Sequence, residues 1–257
     1  MTETTPAPAA PSNAASVAQR ILRHGGYETT LMLRNGEQLV LAVVLPLLAL
    51  VALTFVDLLD GVASSRIEAA APGVLALCVM STAFTGQGIA TGFDRRYGVL
   101  TFLSTTPLGR VGLIFGKALA VLAVLAVQLV VVGGTALLMG WRPDPLGTLI
   151  GLGLLLAGAA AFTSLGLLIA GTVRPEATLA ITNLAWILLA AAGGILIPGS
   201  HLPGVLPDIV QVLPSAALGD AMRAALIDGT VATGSVVVLL AWAAVAGTAA
   251  TRWFKWT

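Results

Sequence analysis

Residues 111–140 have the sequence VGLIFGKALAVLAVLAVQLVVVGGTALLMG, and residues 146–173 have the sequence LGTLIGLGLLLAGAAAFTSLGLLIAGTV. The first stretch contains a single charged residue, Lys117, and the second contains none. An α-helix rises about 1.5 Å per residue, so about 20 apolar residues cross the hydrocarbon of a bilayer. Both stretches exceed that length, which predicts two transmembrane helices that tilt or protrude.

Two further apolar runs precede this pair and two follow it, which brings the predicted number of transmembrane helices to six. They are Leu39–Val56, Gly73–Gly92, Ala177–Ile197 and Val231–Thr251. Pro46 lies inside the first run and predicts a kink there. The fold class expected for residues 39–257 is therefore an all-α integral membrane domain with six transmembrane helices.

The composition of the whole chain agrees with a membrane protein. Of its 257 residues, 57% are hydrophobic and 10% are charged, and the mean hydropathy is +0.96. A soluble domain of this length typically has about 25% charged residues, which it needs to cover its exterior. The net charge of +1 argues against nucleic-acid binding. The single cysteine, Cys78, lies in an apolar run and is expected to be a buried, inert thiol.

The distribution of basic residues predicts the orientation. With a cytoplasmic N-terminus, the inner segments hold ten basic residues and the outer segments hold only Arg66, Arg142 and Arg223. This bias follows the positive-inside rule and places both termini in the cytoplasm. The first 16 residues contain no arginine, so no organelle-targeting segment is apparent, and a bacterial plasma membrane is expected.

Two segments outside the apolar runs have distinct patterns. Residues 1–16, rich in Pro, Ala, Ser and Thr, predict a disordered cytoplasmic tail. Residues 17–38 mix apolar and basic residues, which predicts an interfacial amphipathic segment, broken into two pieces at Gly25 and Gly26. A solvated linker is the alternative for residues 17–38.

The segment 198–229 alternates prolines with apolar residues. This pattern predicts short re-entrant helices on the extracellular side, because irregular backbone at membrane depth must pack on protein or line a cavity. A hairpin lying on the outer surface is the alternative.

Small residues at four-residue spacing occur in several predicted spans. The pairs are Gly88 with Gly92, Gly112 with Gly116, and Gly147 with Gly151. Such spacing permits close helix contacts in a membrane.

The segment between the second and third spans is the most informative motif. Residues 92–117 have the sequence GFDRRYGVLTFLSTTPLGRVGLIFGK. This order of residues resembles the permeases of type 2 ABC exporters, which include drug and polysaccharide exporters. The matching positions are Asp94, Arg95, Arg96, Gly98, Leu100, Leu103, Thr106, Pro107, Gly116 and Lys117, with Asp94 standing where the family often has Glu.

The resemblance extends to both ends of the chain. Tyr27, Glu28 and Arg34 are similar to the family's interfacial helix, and Leu206, Pro207, Leu213, Pro214 and Arg223 to its short extracellular helices. It implies a cytoplasmic coupling helix in residues 93–110 that contacts a soluble ATPase. An apolar ridge of Leu100, Phe102 and Leu103 would enter a groove of that ATPase, flanked by charges. The alternative is that Asp94, Arg95 and Arg96 only anchor the span.

No nucleotide or metal site is predicted on this chain. The Gly116–Lys117 pair is followed by Ala118, and Val111 stands where a P-loop needs its first glycine. ATP and Mg²⁺ are therefore expected on separate P-loop ATPase subunits. The histidines, His24 and His201, have no metal-spaced partner and are interpreted as ordinary loop residues. The family resemblance implies pairing with a second permease copy or a paralogue.

Neutral polar residues inside the spans are candidates for the lining of a transport pathway. They are Thr85, Gln87, Gln128, Thr178, Thr182 and Asn183. Hydrogen bonds between helices are the alternative explanation for each of them.

The predicted function is ATP-driven export of an amphipathic, drug-like or lipid-like substrate. A secondary transporter or channel that does not use ATP is the alternative; the near absence of charge in the spans argues against it.

Overall fold

The computed structural model describes residues 15–201 and 203–255, which form a helical bundle. The helices, numbered in chain order, are α1 (Val17–Arg34), α2 (Gly36–Phe55), α3 (Arg66–Arg96), α4 (Val99–Ser104), α5 (Gly109–Leu138), α6 (Pro145–Thr172), α7 (Pro175–Ala192), α8 (Leu206–Val210), α9 (Pro214–Leu226) and α10 (Thr233–Trp253). Within them, α3 contains a π-helical segment at Met80–Gly86 and α5 one at Leu129–Gly133.

Helices α3, α5, α6, α7 and α10 are each long and apolar enough to cross a bilayer. The chain is an all-α, multi-pass membrane protein, as its composition predicts. Helix α2 adds a further apolar helix of 20 residues, of which the stretch Ala42–Phe55 is apolar but shorter than the other five. The count of six spans therefore remains a prediction.

Helix α3 is longer at both ends than the predicted span Gly73–Gly92. It begins at Arg66, where the Ser65 hydroxyl accepts a hydrogen bond from the Glu68 N–H at the first turn. It continues to Arg96, so Asp94, Arg95 and Arg96 lie on the last turn of a helix and not in a loop. Sequence hydropathy misses these turns because they are helical without being apolar.

Helix α1 is continuous through Gly25 and Gly26, so the predicted break at these glycines is wrong. Ser16 and Gln19 cap its start reciprocally. A Cβ at position 25 would lie 2.9 Å from Leu119 Cδ1 and 3.3 Å from the Gly116 carbonyl oxygen. Gly25 therefore serves the close contact between α1 and α5. Most of the predicted disordered tail, residues 1–14, lies outside the described residues.

The N-terminal half of α3 lies at the centre of the bundle. Its small residues are buried between α2, α9 and the segment after α7: Ala69, Ala70, Ala71, Gly73 and Ala76. A Cβ at Gly73 would lie 2.9 Å from the Ile195 carbonyl oxygen. Lipid is as apolar as the helices themselves, so helices associate in a membrane through close van der Waals packing. Small side chains permit that packing because they let neighbouring backbones approach closely.

Two of the three predicted glycine pairs lie at close helix contacts through both glycines, and the third does so only through Gly116, because Gly112 faces Leu108 just before its own helix. Gly88 and Gly92 face Thr182 and Thr178 on α7, and Gly116 faces His24 on α1. Gly147 and Gly151 face α9, where a Cβ at Gly147 would lie 2.2 Å from the Ala225 carbonyl oxygen. The close contacts that this spacing predicts are confirmed for two pairs and for Gly116.

Helix α9 is buried against α3, α6 and α10. The guanidinium of Arg223 donates to the carbonyl oxygens of Gly194 and Ile195, at 2.7 and 3.0 Å, and to Asp220 Oδ1 at 2.7 Å. These bonds satisfy carbonyl groups just beyond the end of α7. Helix α9 thus packs on protein, whereas most of residues 203–212 are exposed, and the re-entrant interpretation of residues 198–229 remains a prediction.

Candidate functional site

Three charged side chains from three helices meet where α1 packs against the end of α3 and the first turns of α5. Lys117 Nζ on α5 lies 2.7 Å from Asp94 Oδ2 on α3 and 3.0 Å from Glu28 Oε1 on α1. Lys117 is fully buried, and Glu28 is buried as well. A buried cation is tolerated only when it is paired and hydrogen-bonded. This ionic cluster, Glu28–Lys117–Asp94, therefore ties α1, α3 and α5 together.

His24 lies beside the ionic cluster, one turn before Glu28 on α1. Its Nε2 is 3.4 Å from Glu28 Oε1, and a Cβ at Gly116 would lie 2.4 Å from its Cδ2. The imidazole of His24 thus occupies the space that a side chain at position 116 would fill. The interpretation of His24 as an ordinary loop residue is wrong, because it is a buried helical residue at a helix contact. His201, in contrast, is exposed.

Burial lowers the pKa of His24 below its ordinary value of 6.5; the nearby carboxylates of Glu28 and Asp94 oppose this shift, and Lys117 adds to it. The unfolded chain consequently binds a proton at His24 more readily than the folded chain does. The stability contributed by neutral His24 is present above about pH 6.5 and is lost as the pH falls through the lowered pKa.

We expect the variant His24→Gln to weaken the dependence of stability on pH. In the wild type, the thermal unfolding midpoint in micelles should fall between pH 7.5 and pH 5, and the fall should be smaller in the variant. His201→Gln is the matched control, since His201 is the chain's other histidine and is exposed. An identical fall in His24→Gln and the wild type would contradict this assignment.

The predicted coupling segment forms the short helix α4 between two glycine turns. Gly98 and Gly109 have φ of +75° and +68°, a backbone conformation that favours glycine. Leu100 is fully buried against Leu113 and Phe254, with Leu103 partly buried beside it. In this conformation Leu100 is therefore not part of an exposed ridge, whereas Phe102 is 70% exposed.

Basic side chains of this region cap the ends of neighbouring helices. Arg95 Nη1 donates to the carbonyl oxygens of Ala170 and Val173 at the end of α6, at 3.2 and 2.7 Å. Arg110 Nη1 donates to the Thr251 carbonyl oxygen near the end of α10, at 3.3 Å. Cations are favourable at helix C-termini, where carbonyl groups lack intrahelical partners.

The turn after α4 is held from two sides. The Thr106 hydroxyl donates to the Leu103 carbonyl oxygen at 2.6 Å, and Arg20 on α1 donates to the Pro107 carbonyl oxygen. Arg96 is exposed. The segment of α4 is thus connected to α1 through the bond from Arg20 to the Pro107 carbonyl oxygen, and to α5 through the contact of Leu100 with Leu113. A displacement of α4 would therefore also act on both of these helices.

Three exposed aromatic side chains, named the aromatic patch, lie on α4 and at the end of α3. They are Phe93, Tyr97 and Phe102, with Tyr97 71% exposed. The rings of Phe93 and Tyr97 stack, with centroids 6.1 Å apart and planes 10° from parallel. Aromatic residues are enriched at protein interfaces and exposed aromatic clusters mark interaction sites.

A cavity of about 880 Å³ lies between α2, α3 and α7, reaching the end of α1. Its wall is largely apolar, with a few polar groups that include Ser81, Thr85, Asn183 and Asp94. Trp186 Nε1 donates to Ser81 Oγ at 3.0 Å across this region. Ligand sites are typically apolar cavities of about 300–1,000 Å³ with a few convergent polar groups.

The predicted pathway residues divide into three groups. Thr85 and Asn183 line the cavity. Gln128, Thr178 and Thr182 are buried, and each makes a hydrogen bond inside the bundle. Gln128 accepts from Thr82 Oγ1 at 2.9 Å and donates to the Ala42 carbonyl oxygen at 2.6 Å. Gln87 is fully buried, and its amide has no hydrogen-bond partner among the described residues.

The interfacial residues also separate. Tyr27 and Arg34 are exposed on α1, whereas the Glu28 carboxylate turns into the bundle toward Lys117. Sequence analysis missed the pairing because Lys117 counts equally well as a basic residue at the cytoplasmic surface. The position of Lys117 could have indicated the pairing, because Lys117 is the seventh residue of the apolar run 111–140 and an unpaired cation is costly there.

Comparison with known families identifies the chain's class. The family model for the ABC-2 type transporter matches residues 26–227, from α1 through α9. No curated protein matches the chain. The matched range contains the ionic cluster, α4 and the large cavity. The membrane-spanning helices and this match over most of its length show that the chain belongs to the ABC-2 type transporter family of membrane transport proteins.

Proposed function

We propose that this chain is the permease subunit of an ATP-driven exporter, powered by separate P-loop ATPase subunits. The observation that carries this proposal is the aromatic patch on α4 and the end of α3. Phe102 and Tyr97 are exposed there, although hydrophobic side chains of this size gain from burial. An ATPase groove that covers the patch would bury them.

The contacts of α4 suggest how force reaches the membrane helices. A push on α4 is passed through Leu100 to Leu113 on α5, and through Pro107 to Arg20 on α1. The ionic cluster couples those two helices to α3. Helix α3 and the end of α1 border the large cavity, so the cavity would change shape when α4 moves.

The cavity supports an amphipathic substrate, drug-like or lipid-like. Its wall is mostly apolar and carries a small number of polar side chains, the neutral Thr85 and Asn183 among them, with Asp94, which is paired to Lys117, as a charged member. Such a lining suits a molecule with an apolar body and a few polar groups better than a small ion. Helix α7, which forms one wall, is largely unburied in the single chain, a surface available to a second permease copy or paralogue.

The proposed setting is a bacterial plasma membrane with both termini in the cytoplasm. In this orientation, α4 and the aromatic patch face the cytoplasm, where ATP is found, and most basic residues lie on the same side. ATP and Mg²⁺ would be bound by the partner ATPase.

Co-expression with a P-loop ATPase of the ABC type from the same genome tests the proposal. The complex is reconstituted into liposomes, and transport of a fluorescent amphipathic compound is followed with ATP or with an ion gradient. We expect the ATPase to co-purify and transport to require ATP. A matched preparation whose ATPase lacks its P-loop lysine should not transport. Transport by the permease alone, driven by an ion gradient, would overturn the proposal.

A further inference from the structure

A second cavity, of about 320 Å³, lies on another face of the bundle, between α3, α5, α6 and α9. It shares no lining residue with the large cavity beside α7. Its neighbours on the surface are apolar: Val130 is 74% exposed and Leu152 is 40% exposed. In a membrane protein such residues face lipid, so this groove opens toward the acyl chains of the bilayer.

The groove is formed by an irregularity of α5. Its π-helical segment, Leu129–Gly133, is followed directly by Gly134, and both glycines line the groove. A Cβ at Gly134 would have no atom within 4 Å, so the missing side chain leaves open space. π-Helical turns are frequent at functional sites.

A cation is held at the rim of the groove. Arg142 Nη1 donates to the carbonyl oxygens of Leu137 and Trp141, at 2.9 and 3.0 Å, and both of these residues line the groove. The guanidinium has five N–H donors, so groups other than Nη1 are available for an anion. The nearby carboxylate of Asp144 accepts a hydrogen bond from the Gly147 N–H at the start of α6, which offsets its charge.

One wall of the groove is formed by Trp141, which is 95% buried (5% exposed). Its indole nitrogen is itself buried and has no acceptor among the described residues, so it does not reach a molecule in the groove. The groove therefore combines an apolar channel with a cation fixed at its rim.

We propose that this groove binds one phospholipid of the surrounding bilayer. An acyl chain lies in the channel beside Gly133 and Gly134, and the phosphate binds Arg142. The lipid belongs to the leaflet on the side of the α5–α6 connection, which is the outer leaflet if the N-terminus is cytoplasmic. This site is separate from the proposed export pathway.

The test is a titration of delipidated protein in micelles with palmitoyl-oleoyl-phosphatidylglycerol, followed by native mass spectrometry. The wild type should bind one lipid tightly. Gly134→Leu, which fills the channel, should lower the affinity at least roughly tenfold. Gly153→Leu is the matched control, because Gly153 is also helical with no atom within 4 Å of its Cβ but does not line the groove.

A further variant tests the polar contact. Arg142→Gln should weaken phosphatidylglycerol about tenfold and leave the binding of diacylglycerol, which has no phosphate, unchanged.

Equal binding by Gly134→Leu, Gly153→Leu and the wild type would overturn the proposal, as would equal losses in both glycine variants. An unchanged preference for phosphatidylglycerol in Arg142→Gln would overturn the phosphate contact. None of these readouts requires ATP or the partner ATPase, so they are independent of the proposed export function.

Discussion

Lys117→Met is expected to lower the free energy of unfolding by roughly 3–5 kcal/mol. The substitution keeps most of the side-chain volume but removes the cation that neutralises Glu28 and Asp94, at 3.0 and 2.7 Å. The Glu28 carboxylate is buried, so leaving it without its cationic partner is costly. Unfolding of the detergent-solubilised protein, followed by circular dichroism, measures the loss.

Two companion variants make the Lys117 result specific. Lys255→Met removes the chain's other lysine, which is exposed, and should change stability by less than about 0.5 kcal/mol. The triple variant Glu28→Gln, Asp94→Asn, Lys117→Met removes all three charges and should regain part of the loss, since neutral replacements of a buried ion network are tolerated better than a broken one. A triple variant less stable than Lys117→Met would contradict the ionic assignment.

Phe102→Asp is expected to weaken binding of the proposed partner ATPase by about 30-fold, corresponding to roughly 2 kcal/mol for a buried aromatic anchor. Phe102 is 70% exposed on α4, so the change should leave the unfolding midpoint of the isolated permease nearly unchanged. ATPase binding to the permease in nanodiscs, measured by surface plasmon resonance, and ATP-dependent transport should decline together.

Phe55→Asp is the matched control for Phe102→Asp. Phe55 is 77% exposed at the C-terminal end of α2, away from α4, and its substitution should leave ATPase binding intact. Leu100→Ala provides the contrast: Leu100 is fully buried, so this variant should lose about 2–5 kcal/mol of stability. If Phe102→Asp binds the ATPase as tightly as the wild type, the aromatic patch is not the contact surface.

Hydropathy predicts the long helices well because lipid imposes a length and a composition on every span. The predicted runs 111–140 and 146–173 differ from α5 and α6 by one or two residues at each end. The larger errors occur where a helix carries polar residues or a span ends early. Helix α3 extends past the apolar run on both sides, and α7 ends at Ala192, before Gly193 and Gly194, five residues short of the predicted Ile197.

The candidate site was predicted only in part. The segment 93–110 is identifiable from its order of residues, but the separate roles of Leu100 and Phe102 are not, since both are apolar and lie two positions apart. Their difference depends on Phe254, more than 150 residues later, which packs on Leu100. Gly25 and Gly26 mislead in the same way, because a glycine that ends a helix and one that permits a helix contact have the same local pattern.

The sequence by itself determined that this chain is an all-α membrane protein, where its main apolar helices lie, and that its 92–117 segment resembles an ABC-2 permease. These features depend on local composition, since each span must satisfy its own backbone hydrogen bonds in lipid. Only the tertiary structure decided that Glu28, Asp94 and Lys117 form one ionic cluster and that Phe102 remains exposed while Leu100 is buried. Those outcomes depend on how α1, α5 and the C-terminal residues pack, and packing joins residues that are far apart in the chain.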